Sequence, residues 1–457
     1  MTDALTCTTT ITRDPQGNPL TITRPNGAVT TMTYDAKGNL LTSTESSIAA
    51  TTFTYEPTFN QVTRITDPKG NQTNITYDVK GNPLTITDAG NKVTRFFYNA
   101  QGLLTETRDA LYPANPATTF TYNTLGRLLT TIDPLNRTTI LTYDPAGNVA
   151  TSTDALNRIT SFEYDAKNRL KKVIDPLLSE TIYTYDGNGN LLTVKDAKNQ
   201  TTTFAYDSRN RLLSTTDPLG KVEAYEYDGN DNLTKRITPK LDHIVFAYDA
   251  VNQLLSKTLP GAQVTSYTYS SGGNLLTVTD PDSALTMTYD QANRLLTTAT
   301  TGSPNQPVVT LSYTYDKNGN RLTLVDPSGT NTYTYDSLNR LANLASSAGL
   351  ASFAYDALSR RTSLTLPNGT QTTYSYDPAS QVTAISHQLT ALSSQINKAE
   401  YGYNAVGNRT SLTDRRGPQT FGYDSLDRLT SASHPLLGTR KPSPMIRWGI
   451  GRRAAAS

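Results

Sequence analysis

Apolar and polar residues alternate along this chain in short runs that return every 20 or 21 residues for most of its length. Each run ends on a tyrosine. Nineteen such anchors are legible: Tyr34, Tyr55, Tyr77, Tyr98, Tyr122, Tyr143, Tyr164, Tyr185, Tyr206, Tyr227, Tyr248, Tyr269, Tyr289, Tyr315, Tyr335, Tyr355, Tyr376, Tyr403 and Tyr423. Two residues before each anchor stands a second apolar or aromatic residue, from Met32 and Phe53 to Tyr401 and Phe421. Six residues after it the position is usually leucine, as in Leu40, Leu128, Leu170, Leu212 and Leu254. A period of two puts residues on one face of a strand. The pattern therefore predicts a stripe of Tyr, Phe and Leu along one face of one long sheet.

The polar positions between the runs predict turns. From Tyr206 to Tyr227 a strand of Leu, Thr and Ser (212–216) is followed by Asp217-Pro218-Leu219-Gly220 and by a second strand, 222–227. Proline presets φ at the second position of a turn and glycine closes it. Directly after the anchors, fourteen of the nineteen carry Asp, which bonds its own backbone two residues on. The fourth residue after the anchor suits a positive φ. It is Gly at 38, 81, 102, 126, 147, 189, 273, 319 and 407 (Gly38, Gly81, Gly102, Gly126, Gly147, Gly189, Gly273, Gly319, Gly407), Asn five times, Asp twice, Ser twice and Phe59 once. Each repeat thus reads as two strands and two turns, a β-meander unit.

Nineteen repeats give roughly 38 strands, a ribbon about 180 Å long and roughly 20 Å wide. Strands twist, so a sheet of that length coils. We expect an all-β fold of tandem β-hairpins in one long antiparallel sheet, coiled into a spiral shell or open trough, with successive coils edge to edge so that free edges are satisfied. The three long steps carry inserts near 111–118, 301–308 and 387–398, all in the Asp-Pro turn. The turn after the tyrosine is expected to keep its length, as packing on a neighbouring coil would require.

Composition narrows the function. The 457 residues carry 41 basic and 39 acidic side chains, a net charge of +2, which asks for neither nucleic acid nor an anionic membrane as partner. No apolar run is long enough to cross a bilayer, and 1–18 show no secretory signal. With Cys7 alone, an intrachain disulfide is excluded. The anchors and their partners two residues earlier account for 26 of 27 Tyr and 8 of 10 Phe, so the aromatics read as structural. His243, His387 and His434 lie in unrelated repeats and read as turn or surface residues. Asp186-Gly187-Asn188-Gly189-Asn190 begins like a calcium loop, but Leu191 stands where that loop needs glycine and Ala197 where it needs glutamate. No nucleophile, acid–base pair, cofactor motif or metal set emerges, and the chain reads as non-catalytic.

The segments YDAKGNLLTSTE (34–45), YDPAGNVATSTDALNRITSFEYD (143–165) and YDKNGNRLTLVDPSGTNTYTYD (315–336) closely resemble the Rhs/YD-repeat family, over roughly residues 10–430. The resemblance implies a hollow β-shell of the kind that encloses C-terminal toxin domains in bacterial Rhs polymorphic toxins and insecticidal toxin complexes, and that serves adhesion in teneurins. It implies as partners a cargo toxin domain or remaining shell segments encoded separately. Carbohydrate-binding relatives leave a surface glycan-binding module as the alternative, and family placement would be extracellular or at the cell surface. The array is assigned to 1–440, beginning without a cap and ending without the Asp-Pro-Gly-rich core segment of such toxins, as a fragment of a longer shell would. The basic segment 441–457, with the lone Trp448, reads as a disordered tail or as a frameshifted repeat. Plausible codons for Lys441–Arg453, read one base earlier, spell EAFTYDPLGNRTT.

Overall fold

The computed structural model describes residues 7–440, apart from 47, 302–306, 393, 436 and 437. The segment 441–457, with its frameshift reading, and most of the second insert lie outside the described residues. Among the described residues there is no α-helix. Forty-one strands of these described residues form one antiparallel sheet, with one 3-10 turn among them at Thr390–Leu392. Each strand pairs with its neighbours in chain order, so the sheet is a meander about 200 Å long at ~4.8 Å per strand.

One hairpin shows why the chain folds this way. Gly38 N donates to the Asp35 carbonyl at 3.0 Å, and Asp35 N to the Asn39 carbonyl at 3.0 Å. The Asp35 carboxylate accepts the backbone N–H groups of Lys37 and Asn39, each at 2.9 Å. This is a type I turn closed by a left-handed residue, and it leaves a one-residue bulge: Thr33 faces Thr42, whereas Tyr34 faces Leu40. The opposite edge uses the same chemistry. Asn157 N donates to the Asp154 carbonyl at 2.9 Å, and the Asp154 carboxylate accepts Leu156 N and Arg158 N at 2.9 and 3.0 Å. Both edges of the ribbon are therefore rows of near-identical Asx turns.

The structure departs from the sequence reading at several places. Phe59 does not take the positive φ of its turn. Asn60 does (φ 56), because Glu56 N bonds the Gln61 carbonyl and the loop is one residue longer. The turn after the tyrosine therefore changes length once. The insert at 387–398 is not a loose turn: it lengthens the strands Val382–Leu389 and Ser394–Tyr403, with His387 facing Asn397 and Leu389 facing Ser394. The three histidines lie in strands rather than turns, at the start of His243–Tyr248, within Val382–Leu389 and at the end of Leu429–His434, and His243 is exposed as a surface residue. The first hairpin, Thr10–Arg13 with Pro19–Thr23, is a repeat that the tyrosine pattern misses, since Arg13 stands at the anchor position before the Asp14 turn.

The two faces differ. Anchors and their partners share one face. On the other, threonines pair across each hairpin, as in Thr33–Thr42 at 2.7 Å, Thr142–Thr151 at 2.6 Å and Thr314–Thr323 at 2.7 Å. Among the described residues only Ala28, Tyr333 and Ala351 are buried apolar side chains. Over the described residues the chain is a single-layer wall without a conventional core. Its stability comes from nearest-neighbour contacts along the ribbon.

The ribbon curls back on itself, so that turns 247 to 269 residues apart touch. At two strands per 21 residues one coil takes roughly 25 strands, a circumference of about 120 Å. The strands run across the ribbon, so its long edges consist of hairpin turns. The contacts between coils are accordingly side-chain contacts between turns, not the pairing of free strand edges that the sequence reading expected.

Candidate functional site: the tyrosine joint and the seam between coils

Each anchor tyrosine ends a strand, and fifteen of the nineteen donate their phenol hydrogen to a carbonyl of the repeat before. Tyr185 donates its phenol hydrogen to the Leu170 carbonyl at 2.9 Å. Tyr55, Tyr77, Tyr122, Tyr143 and Tyr164 do the same to the preceding repeat. So do Tyr227, Tyr269, Tyr289, Tyr315 and Tyr335. Tyr355, Tyr376, Tyr403 and Tyr423 complete the series, whose distances run from 2.7 to 3.1 Å. Tyr34 instead donates to Met32 Sδ at 3.5 Å. Tyr98, Tyr206 and Tyr248 end the strands Val93–Tyr98, Thr201–Tyr206 and His243–Tyr248 at the same repeat position. Burial pushes the Tyr55, Tyr77 and Tyr248 phenols above their ordinary pKa, with the carboxylate of the previous turn adding to it.

The fifth residue after the anchor closes the joint, and the sequence reading passed over it although its signal is plain: it is repeatedly Asn or Arg. Arg169 Nε donates to Asp165 Oδ2 at 2.7 Å, Arg169 Nη1 donates to the Asp186 carbonyl at 2.8 Å, and the guanidinium lies 4.7 Å above the Tyr185 ring. One side chain thus ties its own turn to the next repeat's turn and tyrosine. Arg211, Arg294, Arg340 and Arg360 stack on Tyr227, Tyr315, Tyr355 and Tyr376 at 4.6–5.0 Å. Where the residue is Asn, its amide donates to the same carboxylate, as Asn39 does to Asp35 at 2.9 Å. These bonds hold the turn carboxylates below their ordinary pKa. In Asp35 the Asn39 side chain contributes most; in Asp165 the backbone N–H of Arg169 does.

The fourth position holds the turn. Gly38, Gly81, Gly102, Gly126, Gly147, Gly189, Gly273, Gly319 and Gly407 have φ between 76 and 100°. Asn168, Asn210 and Asn339 take the same role at φ 58 to 63°, and Ser359 and Ser380 at 63 and 66°. After Tyr269 the turn opens with Ser270, whose hydroxyl accepts Asn274 N at 3.1 Å in place of a carboxylate.

The seam joins the Asp-Pro-type turns of the first coil to the Tyr-Asp turns of the second. Asn26 Nδ2 donates to Asn293 Oδ1 at 2.5 Å, and Asn318 Nδ2 to Asp67 Oδ2 at 2.6 Å. Lys69 pairs with Asp316 at 3.1 Å. Farther along, Arg158 pairs with Asp427 at 2.8 Å and donates to the Ser425 carbonyl at 3.1 Å. Burial raises the Asp67 and Asp316 pKa values, but hydrogen bonds from Asn71 and Asn318, and from Asn320 and Lys69, outweigh it and leave both lowered. Two clefts lie along the seam. One, of about 390 Å³, runs between Cys7, Ile22, Arg24 and Pro25 on one coil and Val251 and Gly272 on the other. The second, about 380 Å³, is lined by Glu45, Ile48 and Asp67 against Asn318 and Asn339.

A single repeat position records which turns enter the seam. Three residues after the anchor the side chain is exposed in every first-coil turn, including Lys37, Lys80, Gln101, Lys167 and Arg209. In the second coil it is small or apolar and half-buried at most turns, as at Val251, Ala292, Leu338, Leu358, Val406 and Leu426, while the half-buried Asn318 spends its amide on the seam bond to Asp67. The change begins where the second coil meets the first. Gly272 is the exposed member of the second series, and a Cβ there would lie 3.2 Å from Asn26.

Among the described residues no group of three or more His, Cys, Asp and Glu side chains could hold a metal ion, and no helix is long and apolar enough to cross a membrane. Asp186–Asn190 folds as an ordinary repeat turn, with Asn190 N on Asp186 Oδ1 at 2.8 Å. His387 Nδ1 lies 2.9 Å from Thr372 Oγ1 in the neighbouring strand.

Comparison with known proteins follows the repeats. The RHS Repeat family matches residues 13–47, 77–114, 143–177, 185–222, 206–240, 355–387 and 403–436, together about half of the chain. The Teneurin YD-shell family matches residues 230–369. No curated protein matches. Among solved structures, the crystal structure of TcdB2-TccC3-TEV is 18% identical with a TM-score of 0.66, covering 93% of this chain and 28% of its own. A structure of the Photorhabdus luminescens Tc holotoxin pore is 14% identical with a TM-score of 0.42, covering 92% of this chain and 32% of its own. The first of these bears on the fold, and this chain spans little more than a quarter of its length. With its tyrosine joints, its Asx turns and its matched repeats, the chain belongs to the RHS-repeat family.

Proposed function

We propose that this chain is a non-catalytic segment of wall in a hollow β-shell that encloses a polypeptide cargo. The observation that carries the reading is the seam. A ribbon whose first-coil turns receive the turns of its second coil through Arg158–Asp427, Lys69–Asp316 and Asn318–Asp67 makes a continuous surface rather than a free band. A single-layer sheet with so few buried side chains suits a partition between two spaces better than a scaffold for a catalytic cleft. The division into one array over 1–440 and a separate tail over 441–457 belongs to this proposal.

Small-angle scattering of the purified chain tests the wall. A coiled segment gives a maximum dimension far below the ~200 Å of an extended ribbon, with its pair-distance peak displaced toward large distances as in a hollow body. An extended-ribbon profile would remove the reading. Enclosure is tested with a protease-labile passenger joined to the C-terminus: cleavage at least tenfold slower than for the passenger alone is expected, and equal rates would remove it. Strong, saturable binding on a glycan array, with no protection of the passenger, would move the assignment to a surface binding module.

A further inference from the structure

Two of the seam bonds are donated by asparagines that precede glycine. Asn26-Gly27 lies in a turn of the first coil and Asn318-Gly319 in a turn of the second. In both turns the glycine is the left-handed residue, at φ 82 and 83°. The sequence holds two other such pairs, Asn188-Gly189 and Asn368-Gly369, in turns of the same form with exposed asparagines. Asn-Gly is especially open to succinimide formation, because no side chain hinders the glycine nitrogen. That nitrogen attacks the asparagine Cγ: the N–Cγ bond forms, the Cγ–Nδ2 bond breaks and ammonia leaves. Water then opens the ring to aspartate or isoaspartate, so that an amide and a water become a carboxylate and an ammonium ion. The closed seam restrains both reacting groups. Gly27 N donates to the Arg24 carbonyl at 2.9 Å and Gly319 N to the Asp316 carbonyl at 3.1 Å. The leaving amides of Asn26 and Asn318 donate to Asn293 and Asp67 on the opposite coil. Gly189 N and Gly369 N make the same turn bonds, at 3.3 and 3.0 Å. The side chains before them differ: Asn188 bonds Asn210 in the neighbouring turn and Asn368 bonds Thr370 N in its own.

We propose that Asn26 and Asn318 are sites of spontaneous deamidation, and that conversion at either one irreversibly opens the contact between coils. The proposal needs the seam of the shell-wall reading but no enclosed cargo. Asn318 Nδ2 gives its two hydrogens to Asp67 Oδ2 at 2.6 Å and to Asn339 Oδ1 at 2.8 Å. A carboxylate in its place has no hydrogen to give and sets a second negative group against Asp67, beside the Asp316 that Lys69 already neutralises. At the other site Asn293 Oδ1, which also accepts from Asn274 at 2.8 Å, loses its donor across the seam. Isoaspartate further adds a backbone methylene to a turn whose asparagine lies 3.2 Å from the Cβ position of Gly272. Both reactive pairs follow from the architecture: the turn requires a left-handed glycine, and the residue before it is the one that reaches the other coil. Conversion is slow while the coils touch, and each conversion loosens the contact that slows the next. The seam therefore carries a one-way chemical clock.

The test holds the full chain in mildly alkaline buffer and follows each Asn-Gly peptide by mass spectrometry, which reads the exchange of amide for carboxylate. Asn188 and Asn368 are expected to convert first, and Asn26 and Asn318 at least tenfold more slowly. Lys69→Ala with Arg158→Ala removes two ion pairs across the seam and leaves all four asparagines in place. It should speed Asn26 and Asn318 at least fivefold and leave Asn188 unchanged. Asn318→Asp mimics one product and should raise hydrogen exchange in the turns at 67–71 and 316–320. Asp67→Asn added to that variant returns a donor to the pair and should restore protection. Equal rates at all four sites in the unaltered chain, seam rates indifferent to the ion pairs, or unchanged protection in Asn318→Asp would overturn the proposal. The passenger assay reads enclosure and these rates read the seam, so failure of one is distinguishable from failure of the other.

Discussion

Replacing the phenol oxygen of the anchors measures what the tyrosine joint contributes. In Tyr143→Phe, Tyr185→Phe, Tyr227→Phe and Tyr376→Phe the ring stays and only the hydroxyl is lost, with its bonds of 2.7, 2.9, 3.0 and 2.8 Å to Leu128, Leu170, Leu212 and Arg361. A neutral hydrogen bond contributes about 1 kcal/mol net, within a range of about 0.5–1.5. The closest two sites are four strands apart, roughly 19 Å, so their effects should add. The quadruple variant should then lose about 4 kcal/mol, spread over four places. Because an array of this length need not unfold in one step, native-state hydrogen exchange is the suitable assay. Each single variant should lower protection about fivefold in the strands flanking its own joint and leave distant repeats unchanged. Tyr34→Phe is the control, since that hydroxyl bonds Met32 within its own strand, and it should change little. If the quadruple variant stays within about 0.5 kcal/mol of the unaltered chain, or if Tyr34→Phe costs as much as Tyr185→Phe, the inter-repeat latch is wrong.

Other outcomes follow from the same geometry. In a double-mutant cycle, Arg158→Ala and Asp427→Ala should couple by about 1 kcal/mol across 269 residues, and zero coupling would remove the seam contact. Acid should unfold the array. The turn carboxylates of Asp35, Asp67, Asp165, Asp316 and Asp336 sit below their ordinary pKa when folded. Their contribution is present above the unfolded value of about 3.9 and is lost as pH falls through the depressed folded values. Stability that stays flat from about pH 5 to 2.5 in a circular-dichroism titration would contradict this. Gly189→Ala, at φ 98° with open space around a new Cβ, should cost about 1–2 kcal/mol from backbone strain alone, whereas Asn210→Gly at φ 63° should stay within about 0.5 kcal/mol in urea unfolding.

The sequence by itself determined the unit and the order of units. A tyrosine ends a strand, an aspartate opens a turn and a glycine or asparagine closes it. These are short-range requirements of backbone conformation and local hydrogen bonding, so they are written wherever they occur, and the meander follows from their repetition. The exceptions show the limit of that logic. Asn60 displaced Phe59 because an inserted residue changes which position must turn left-handed, and the Asp14 hairpin escaped notice because Arg13 replaced the tyrosine while the turn stayed intact. The role of the fifth residue after the anchor was visible as recurring Asn and Arg, but its meaning needed the carboxylate, the carbonyl and the ring to be placed around it. What only the tertiary structure decided was the coil. Pairing Arg158 with Asp427 and Lys69 with Asp316 depends on how far the sheet turns per repeat, a small twist summed over roughly 25 strands that no local pattern encodes. Once the coil is seen, the change from Lys37 and Lys80 to Leu338 and Leu426 becomes readable as the trace of the seam, because burial between coils, unlike turn formation, is a property of residues about 250 positions apart.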